Sequence, residues 1–411
     1  MIHDALLEEV MLDQAQRAVQ KPRGMKRDVD YQKLVSHSQI VVISGMRRVG
    51  KSTLMLQISD FFPDYYYINF DDERLYGFET VDFNTLMVLF RKRSISNTIF
   101  MDEVQNVPGW ERFVSRIYDE GYKVFITGSN AKLLSSELAT YLTGRYYKIE
   151  LFPFSFSELA AWQKIDTASI TSDVKASLLS LFDTYLLKGG MPEYYKLFDE
   201  EYFAQLYSDV MYKDLIVRFA VKNVNAFKNL SQFLLSNFTK EASYLGLSRT
   251  LNINSVNTVK DYIDHLQECY LLFECHKFDF SLKRQYVSNR KIYAIDNGIR
   301  NHVSFRFNTD NGQLLENVVY VQLRRLYKTV TFYKTRGGYE VDFYCNDAFI
   351  QVCWTISDQA TLTREKRAIT EAMSETGLTM GYILTYNEES DITSEGFVIK
   401  VIPVWKWILE K

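Results

Sequence analysis

Eight consecutive residues, Gly45-Met46-Arg47-Arg48-Val49-Gly50-Lys51-Ser52, constrain this 411-residue chain more than any other stretch. The spacing GxxxxGK[ST] has chemical meaning only after a strand and before a helix. Both flanks satisfy that condition. Ile40–Ser44 is a run suited to a buried strand, and Thr53-Leu54-Met55-Leu56-Gln57 opens a helical segment. Glycines at 45 and 50 let backbone N–H groups turn inward to form an anion-binding concavity. The helix N-terminus adds its partial positive charge. Gly45, Arg47, Arg48, Val49, Gly50, Lys51, Ser52 and Thr53 are therefore the expected phosphate-binding residues. Lys51 is expected to reach the β- and γ-phosphates of ATP, and the Ser52 hydroxyl to face Mg²⁺.

A second element agrees. Thr98-Ile99-Phe100-Met101-Asp102-Glu103 is an apolar strand that ends in two carboxylates, at the sheet edge where open α/β sheets hold ligands. Asp102 fits the Mg²⁺-side carboxylate of such a site (a Walker B position beside the Walker A loop), and Glu103 fits a general base for the attacking water. The next strand ends in Thr127-Gly128-Ser129-Asn130, and in the expected strand order it lies between the two motifs. Ser129 and Asn130 are then placed to sense the γ-phosphate. Thr143-Gly144-Arg145 sets an arginine before the last strand of this region. Arg145 is a candidate arginine finger, and such residues are worth about 10³–10⁵ in rate where they act. The sequence leaves open whether it would act in its own subunit or on a neighbour in a homo-oligomer.

The chain divides by texture into four regions. Residues 1–37 read as a helical lead-in whose basic stretch, Arg17, Lys21, Arg23, Lys26 and Arg27, is expected to be solvated, with a nucleotide or partner contact as the alternative. Residues 38–155 alternate strands (Ile40–Ser44, Tyr65–Phe70, Thr98–Asp102, Lys123–Thr127, Tyr146–Leu151) with helical connections, the pattern of a doubly wound parallel sheet. Residues 156–290 turn mainly helical. Within them Ser255 is a plausible N-cap for Val256, Val259, Ile263 and Leu266, and Cys269–Phe278 with Lys291–Ile295 suggests the two strands of a wing. Residues 291–411 alternate again, with a helix around Leu315–Leu326, strands at Val330–Thr335, Tyr339–Cys345 and Phe349–Trp354, a helix at Thr361–Glu375 and a strand at Gly381–Tyr386. The fold class expected is α/β throughout: a P-loop sheet domain, a winged-helix segment, then a second α/β domain.

The motifs in their order resemble bacterial and archaeal AAA-type ATPases that join a P-loop domain to a C-terminal domain of unknown function. The resemblance rests on GMRRVGKST (45–53), IFMDEVQNVPGW (99–110), ITGSNAKLLSSELATYLTGR (126–145), LFPFSFSEL (151–159), GGMPEY (189–194), YAIDNG (293–298), LLENVVY (314–320) and GGYEVDF (337–343). It implies a nucleotide domain, a winged helix and a C-terminal fold similar to restriction endonucleases. Active members of that fold gather a helix Glu, a strand Asp and a Glu-x-Lys around Mg²⁺. Glu316 and Asp342 match the first two positions, with Glu340 beside them, but the third motif reads Gln351-Val352-Cys353. The nuclease reaction is therefore expected to be lost.

A net charge of −3 excludes a global basic field, so any nucleic-acid contact must be a local patch. The recognition-helix position offers Lys260 against Asp261 and Asp264. The wing offers Lys277, Lys283, Arg284, Arg290 and Lys291 against Asp279 alone. DNA contact is expected through Lys260, Lys283, Arg284, Arg290 and Lys291. The four cysteines (269, 275, 345, 353) have no CxxC or zinc spacing and read as buried free thiols in a reducing cytosol. No stretch of about 20 apolar residues predicts a membrane span. Three function classes follow: an ATPase acting on DNA, a nucleotide-regulated protein-interaction module, and an ATP-gated nuclease. The first is preferred and the last disfavoured.

Overall fold

Every residue of Ile40–Ser44 (β1) and Thr98–Asp102 (β3) is buried, as continuous apolar runs demand when both faces of a sheet are covered. A computed structural model describes residues 2–129, 142–304, 311–394 and 396–411. The chain divides into two units, Met1–Leu151 and Phe152–Lys411.

In the first unit β1 and β3 join Tyr66–Asn69 (β2), Lys123–Gly128 (β4) and Tyr146–Glu150 (β5) in a wholly parallel sheet of order β2-β3-β4-β1-β5. β4 thus lies between β1 and β3, as expected. The register pairs Ser44 with Gly128 and Met101 with Ile126, so the carboxyl ends of β1, β3 and β4 share one edge. Alternate residues feed two cores. Ile40, Val42, Ile99 and Met101 enter one, and Val41, Ile43, Phe100 and Phe125 enter the other.

The basic stretch of the lead-in is solvated in part, with Arg17, Lys21 and Lys26 exposed, but the lead-in itself is docked. Leu7, Val10 and Met11 of the helix Asp4–Gln20 lie in the first core. The basic segment that follows is tied to the P-loop helix Lys51–Ser59. Gln57 Nε2 donates to the carbonyls of Arg23 and Met25, each at 2.7 Å, and Gln57 Oε1 accepts from the Tyr31 hydroxyl at 2.6 Å. Arg27 is buried and donates to the Val49 carbonyl at 2.9 Å.

The second unit is built on a mixed nine-stranded sheet: Glu241–Ala242 (β6), Leu272–Lys277 (β7), Arg290–Ala294 (β8), Thr331–Lys334 (β9), Glu340–Cys345 (β10), Ala348–Val352 (β11), Met380–Thr385 (β12), Ser390–Ser394 (β13) and Phe397–Pro403 (β14). Ser255 caps the helix Val256–Glu268, whose Val259, Ile263 and Leu266 are buried, and β7 and β8 pair antiparallel after it. β7 also pairs parallel with β9, so the sheet runs unbroken into the C-terminal strands. The expected division at 290/291 accordingly falls inside β8. The turn at Arg336-Gly337-Gly338 joins β9 to antiparallel β10. β13, β14 and the final helix Val404–Leu409 add elements beyond those expected.

Four of the motifs in this unit turn out to meet each other. A Cβ on Gly190 would lie 2.1 Å from the Phe154 carbonyl oxygen, and one on Gly189 would strike the Asp296 carboxylate. Asp296 accepts from the amides of Gly190 (2.6 Å) and Gly298 (2.8 Å). The Asn317 side chain bonds both backbone groups of Ala294 and also Asn297. LFPFSFSEL, GGMPEY, YAIDNG and LLENVVY therefore form one packing hub. All four cysteines are buried and free, and among the described residues no helix is long and apolar enough to cross a membrane.

Candidate nucleotide site

The loop between β1 and the helix Lys51–Ser59 has the backbone that its glycines permit. Gly50 takes φ +98° as the helix N-cap, and Arg48 takes φ +63°. A Cβ on Gly45 would lie 2.3 Å from the Leu151 carbonyl oxygen, so only glycine lets the loop pass the end of β5. Met46 and Val49 are buried beneath the loop, while Arg47, Arg48, Ser52 and Thr53 are half-buried around it.

Lys51 is almost wholly buried. Its Nζ donates to the Met46 carbonyl at 3.2 Å and lies 3.4 Å from Glu103 Oε1. Asp102 is fully buried beside it. The hydroxyls of Thr127, Tyr67 (3.2 Å) and Ser52 donate to its carboxylate. Burial, and then the charge of Glu103, push Asp102 above the usual carboxylate range. Glu103 goes the other way. Burial opposes its ionisation, but the charges of Lys51 and Arg47 and a hydrogen bond from Gln105 hold it below the usual range. Its backbone is left-handed at φ +51°, pinned by its own N–H donating to Thr127 Oγ1 at 2.9 Å. Thr127 thus accepts from one acidic residue and donates to the next.

Lys51, Ser52, Asp102, Glu103 and Ser129 come together at one edge of the sheet. Ser129 is buried and its Oγ accepts from Gln105 Nε2 at 3.4 Å. Asn130 lies outside the described residues. Arg145 does not join the group. It precedes β5, and its carbonyl accepts from the amide of Ile40 at the start of β1 (2.9 Å). Its guanidinium pairs with Asp119 at 2.9 Å and Ser115 at 3.0 Å. β1 separates it from the P-loop by about 13 Å of strand. Parallel pairing therefore places it at the opposite edge and removes the reading in which it acts on its own subunit's nucleotide.

The sequence reading assigned no role to Tyr67, Gln105 or Thr127, and it named Arg27 only within a basic stretch expected to be solvated, with a nucleotide or partner contact as the alternative. Thr127 carried the one legible signal, a hydroxyl closing an apolar strand next to the motif strand.

Residues 37–160 match the family described as "AAA domain", and residues 179–310 match one described as "Domain of unknown function (DUF8612)". The chain is 33% identical over 429 residues to the uncharacterized protein MJ1544 of Methanocaldococcus jannaschii, covering 98% of this chain and 95% of that one. An uncharacterized protein of Haemophilus influenzae is 29% identical over 392 residues, covering 90% and 94%. The chain belongs to this family of AAA-domain P-loop proteins. Among solved structures, the AAA-domain chain is similar to RuvB of Thermotoga maritima (14% identity, 65% of this chain and 93% of that one, TM-score 0.30). It is similar also to AMPPCP-bound DnaA from Aquifex aeolicus (14%, 58% and 84%, TM-score 0.27).

The expected DNA patch is dispersed. Lys260 and Lys283 are exposed. Arg284 is exposed and ion-paired with Asp279 at 3.0 Å. Arg290 lies against Glu274 and over the Tyr244 ring, and its guanidinium donates to the carbonyls of Ser288 and Tyr286. Lys291 is buried among carboxylates. Alternate residues of a strand face opposite ways, so a basic run in sequence is no basic face here, and Arg290 and Lys291 drop out of the patch.

The hydroxyl of Thr127 is the joint between Asp102 and Glu103. Thr127→Val is expected to destabilise the first unit by about 1–3 kcal/mol, the cost of a buried group losing its partner. Chemical denaturation of the variant against wild type measures it.

Proposed function

We propose that the first unit binds ATP with Mg²⁺ and hydrolyses it, and the observation that carries this is the Lys51–Glu103–Asp102–Ser52 grouping at the mouth of the P-loop. The inward amides of Gly45–Ser52 and the ammonium of Lys51 would hold the triphosphate. Ser52 and Asp102 are the pair suited to Mg²⁺, because a fully buried carboxylate hydrogen-bonded to a hydroxyl gains from a cation. The ion supplies charge neutralisation for the transferred phosphoryl group. Glu103 accepts the proton of the attacking water, a role worth about 10²–10⁴ in rate.

The Lys51–Glu103 contact gives this base a control. A triphosphate competes for the Lys51 ammonium. As Lys51 turns toward phosphate, Glu103 loses the charge that most depresses its basicity and becomes a better proton acceptor. Gln105, bonded to Glu103 and Ser129, orients the freed carboxylate. Arg145 contributes to turnover only on the nucleotide of a second copy of the chain.

For the second unit we infer a winged helix (Tyr244–Thr250, Val256–Glu268 and the β7/β8 hairpin) that leads into a restriction-endonuclease-like core without nuclease activity. The reading is supported by the order helix Asn311–Leu326, β9, β10, β11, helix Gln359–Thr376, β12, with β11 and β12 parallel. DNA is the favoured partner, and the contact moves to the tip between β7 and β8. Phe280, Leu282, Tyr286 and Val287 are each at least 70% exposed there, beside exposed Lys283 and Arg284. Apolar side chains flanked by cations are equipped to enter a groove while gripping phosphate.

Wild-type protein is expected to release phosphate from Mg·ATP, and Lys51→Ala to abolish both nucleotide binding and release, measured by calorimetry and a coupled phosphate assay. Unaltered turnover in Lys51→Ala would remove the assignment. At low salt a DNA duplex is expected to bind and to be released as salt rises. The pair Lys283→Glu and Arg284→Glu should weaken binding at least about tenfold. A tip that captures no DNA at low salt favours the protein-interaction reading.

A further inference from the structure

In the second unit a lysine stands at the centre of the acidic cluster that a nuclease of this fold would use for metal. Lys291 projects from β8, and its Nζ lies 2.6 Å from Glu340 Oε1, 3.1 Å from Asp342 Oδ1 and 3.2 Å from Glu316 Oε1. Its side chain is 4% exposed. An ammonium has three protons and no acceptor, so its hydrogen-bonding capacity matches the three carboxylates in number.

The second oxygens of Asp342 and Glu340 are engaged as well. Asp342 Oδ2 accepts from the Val352 amide at 2.9 Å and Glu340 Oε2 lies 3.5 Å from Lys334 Nζ, while the Tyr293 hydroxyl donates at 2.6 Å to Glu316 Oε1, the same oxygen that faces Lys291. The third motif position is equally committed. Gln351 accepts from the Asp342 amide at 3.1 Å and donates to Glu365 at 2.8 Å, and Cys353 lies in the apolar cluster with Ala368 and Ile369. A magnesium-like ion needs oxygens at about 2.0–2.1 Å in near-octahedral array. Among the described residues no three His, Cys, Asp or Glu side chains are arranged to hold a metal. The residues present do not fit a catalytic divalent ion.

We propose that Lys291 is a built-in replacement for that ion: its ammonium holds Glu316, Glu340 and Asp342 together as a fixed internal salt bridge, so the cluster serves as a metal-independent clamp of the helix Asn311–Leu326 onto β8 and β10. The consequence is specific. Removing the ammonium while keeping the carboxylates uncovers a cation site that the natural protein lacks. This reading is independent of the ATPase assignment, since no residue of the first unit takes part.

The test is Mn²⁺ binding to the full chain without nucleotide, followed by electron paramagnetic resonance. Wild type and Asp342→Asn are expected to bind the same number of Mn²⁺ ions. Lys291→Met is expected to bind one more per chain, in the ~10⁻⁴–10⁻³ M range of weak carboxylate sites, and Lys291→Met with Asp342→Asn to lose it. A wild-type Mn²⁺ site that disappears in Asp342→Asn would overturn the proposal, as would a folded Lys291→Met that gains no ion. If Lys291→Met does not fold, the comparison of wild type with Asp342→Asn decides: equal binding supports the clamp, and an ion lost in Asp342→Asn overturns it.

Discussion

Asp102 is a carboxylate with no access to water, and the first unit is arranged around satisfying it. An isolated buried charge is prohibitively costly. Two neighbouring strands and the P-loop helix therefore converge on it: Tyr67 from β2, Thr127 from β4 and Ser52 from the helix after β1. Each donor is meaningful only in the strand order β2-β3-β4-β1. The need to solvate one side chain thus ties the sheet's topology to the site at its edge. The same donors leave Glu103 half-free, pinned through its backbone by Thr127 while its side chain is shared between Lys51 and Gln105. Rigid Asp102 and exchangeable Glu103 are adjacent residues with opposite electrostatic fates, which is how neighbouring carboxylates take different roles.

The second unit also buries an acidic cluster and solves the problem differently. Its counter-ion is covalently part of the chain, because Lys291 supplies a cation that no ligand exchange can displace. In the first unit Lys51 meets one carboxylate at 3.4 Å and a carbonyl, and a triphosphate would be a stronger partner than either. One lysine is poised for exchange and the other is committed.

Legibility in the sequence followed the range of the interactions. The P-loop is local, since its glycines, lysine and helix start are contiguous, so its geometry could be read directly. The parallel sheet was legible because buried strands such as IVVIS are short and separated by helix-length connections. Tyr67 and the Gln105–Ser129 contact were invisible because they depend on side-chain reach between elements that only the fold brings together, whereas the bond from Gln105 to Glu103, two residues away, is local and was overlooked. Arg27 read as a solvated cation and proved to brace the P-loop from 22 residues away. Lys291 was misread for the same reason: in sequence it follows Arg290 in a basic run, while the fold turns it onto Glu316 and Asp342. β14 alternates cleanly, with Ile399 and Val401 buried around exposed Lys400, but an alternating pattern carries no indication of which sheet it joins.

The central claim is that Glu103 performs the chemical step while the loop, Lys51 and Asp102 hold the substrate. Single-turnover conversion of bound Mg·ATP to ADP in Glu103→Gln tests it most directly. The account predicts ATP affinity within a few-fold of wild type and conversion slowed by about 10²–10⁴. Conversion at the wild-type rate from the same bound complex would contradict it.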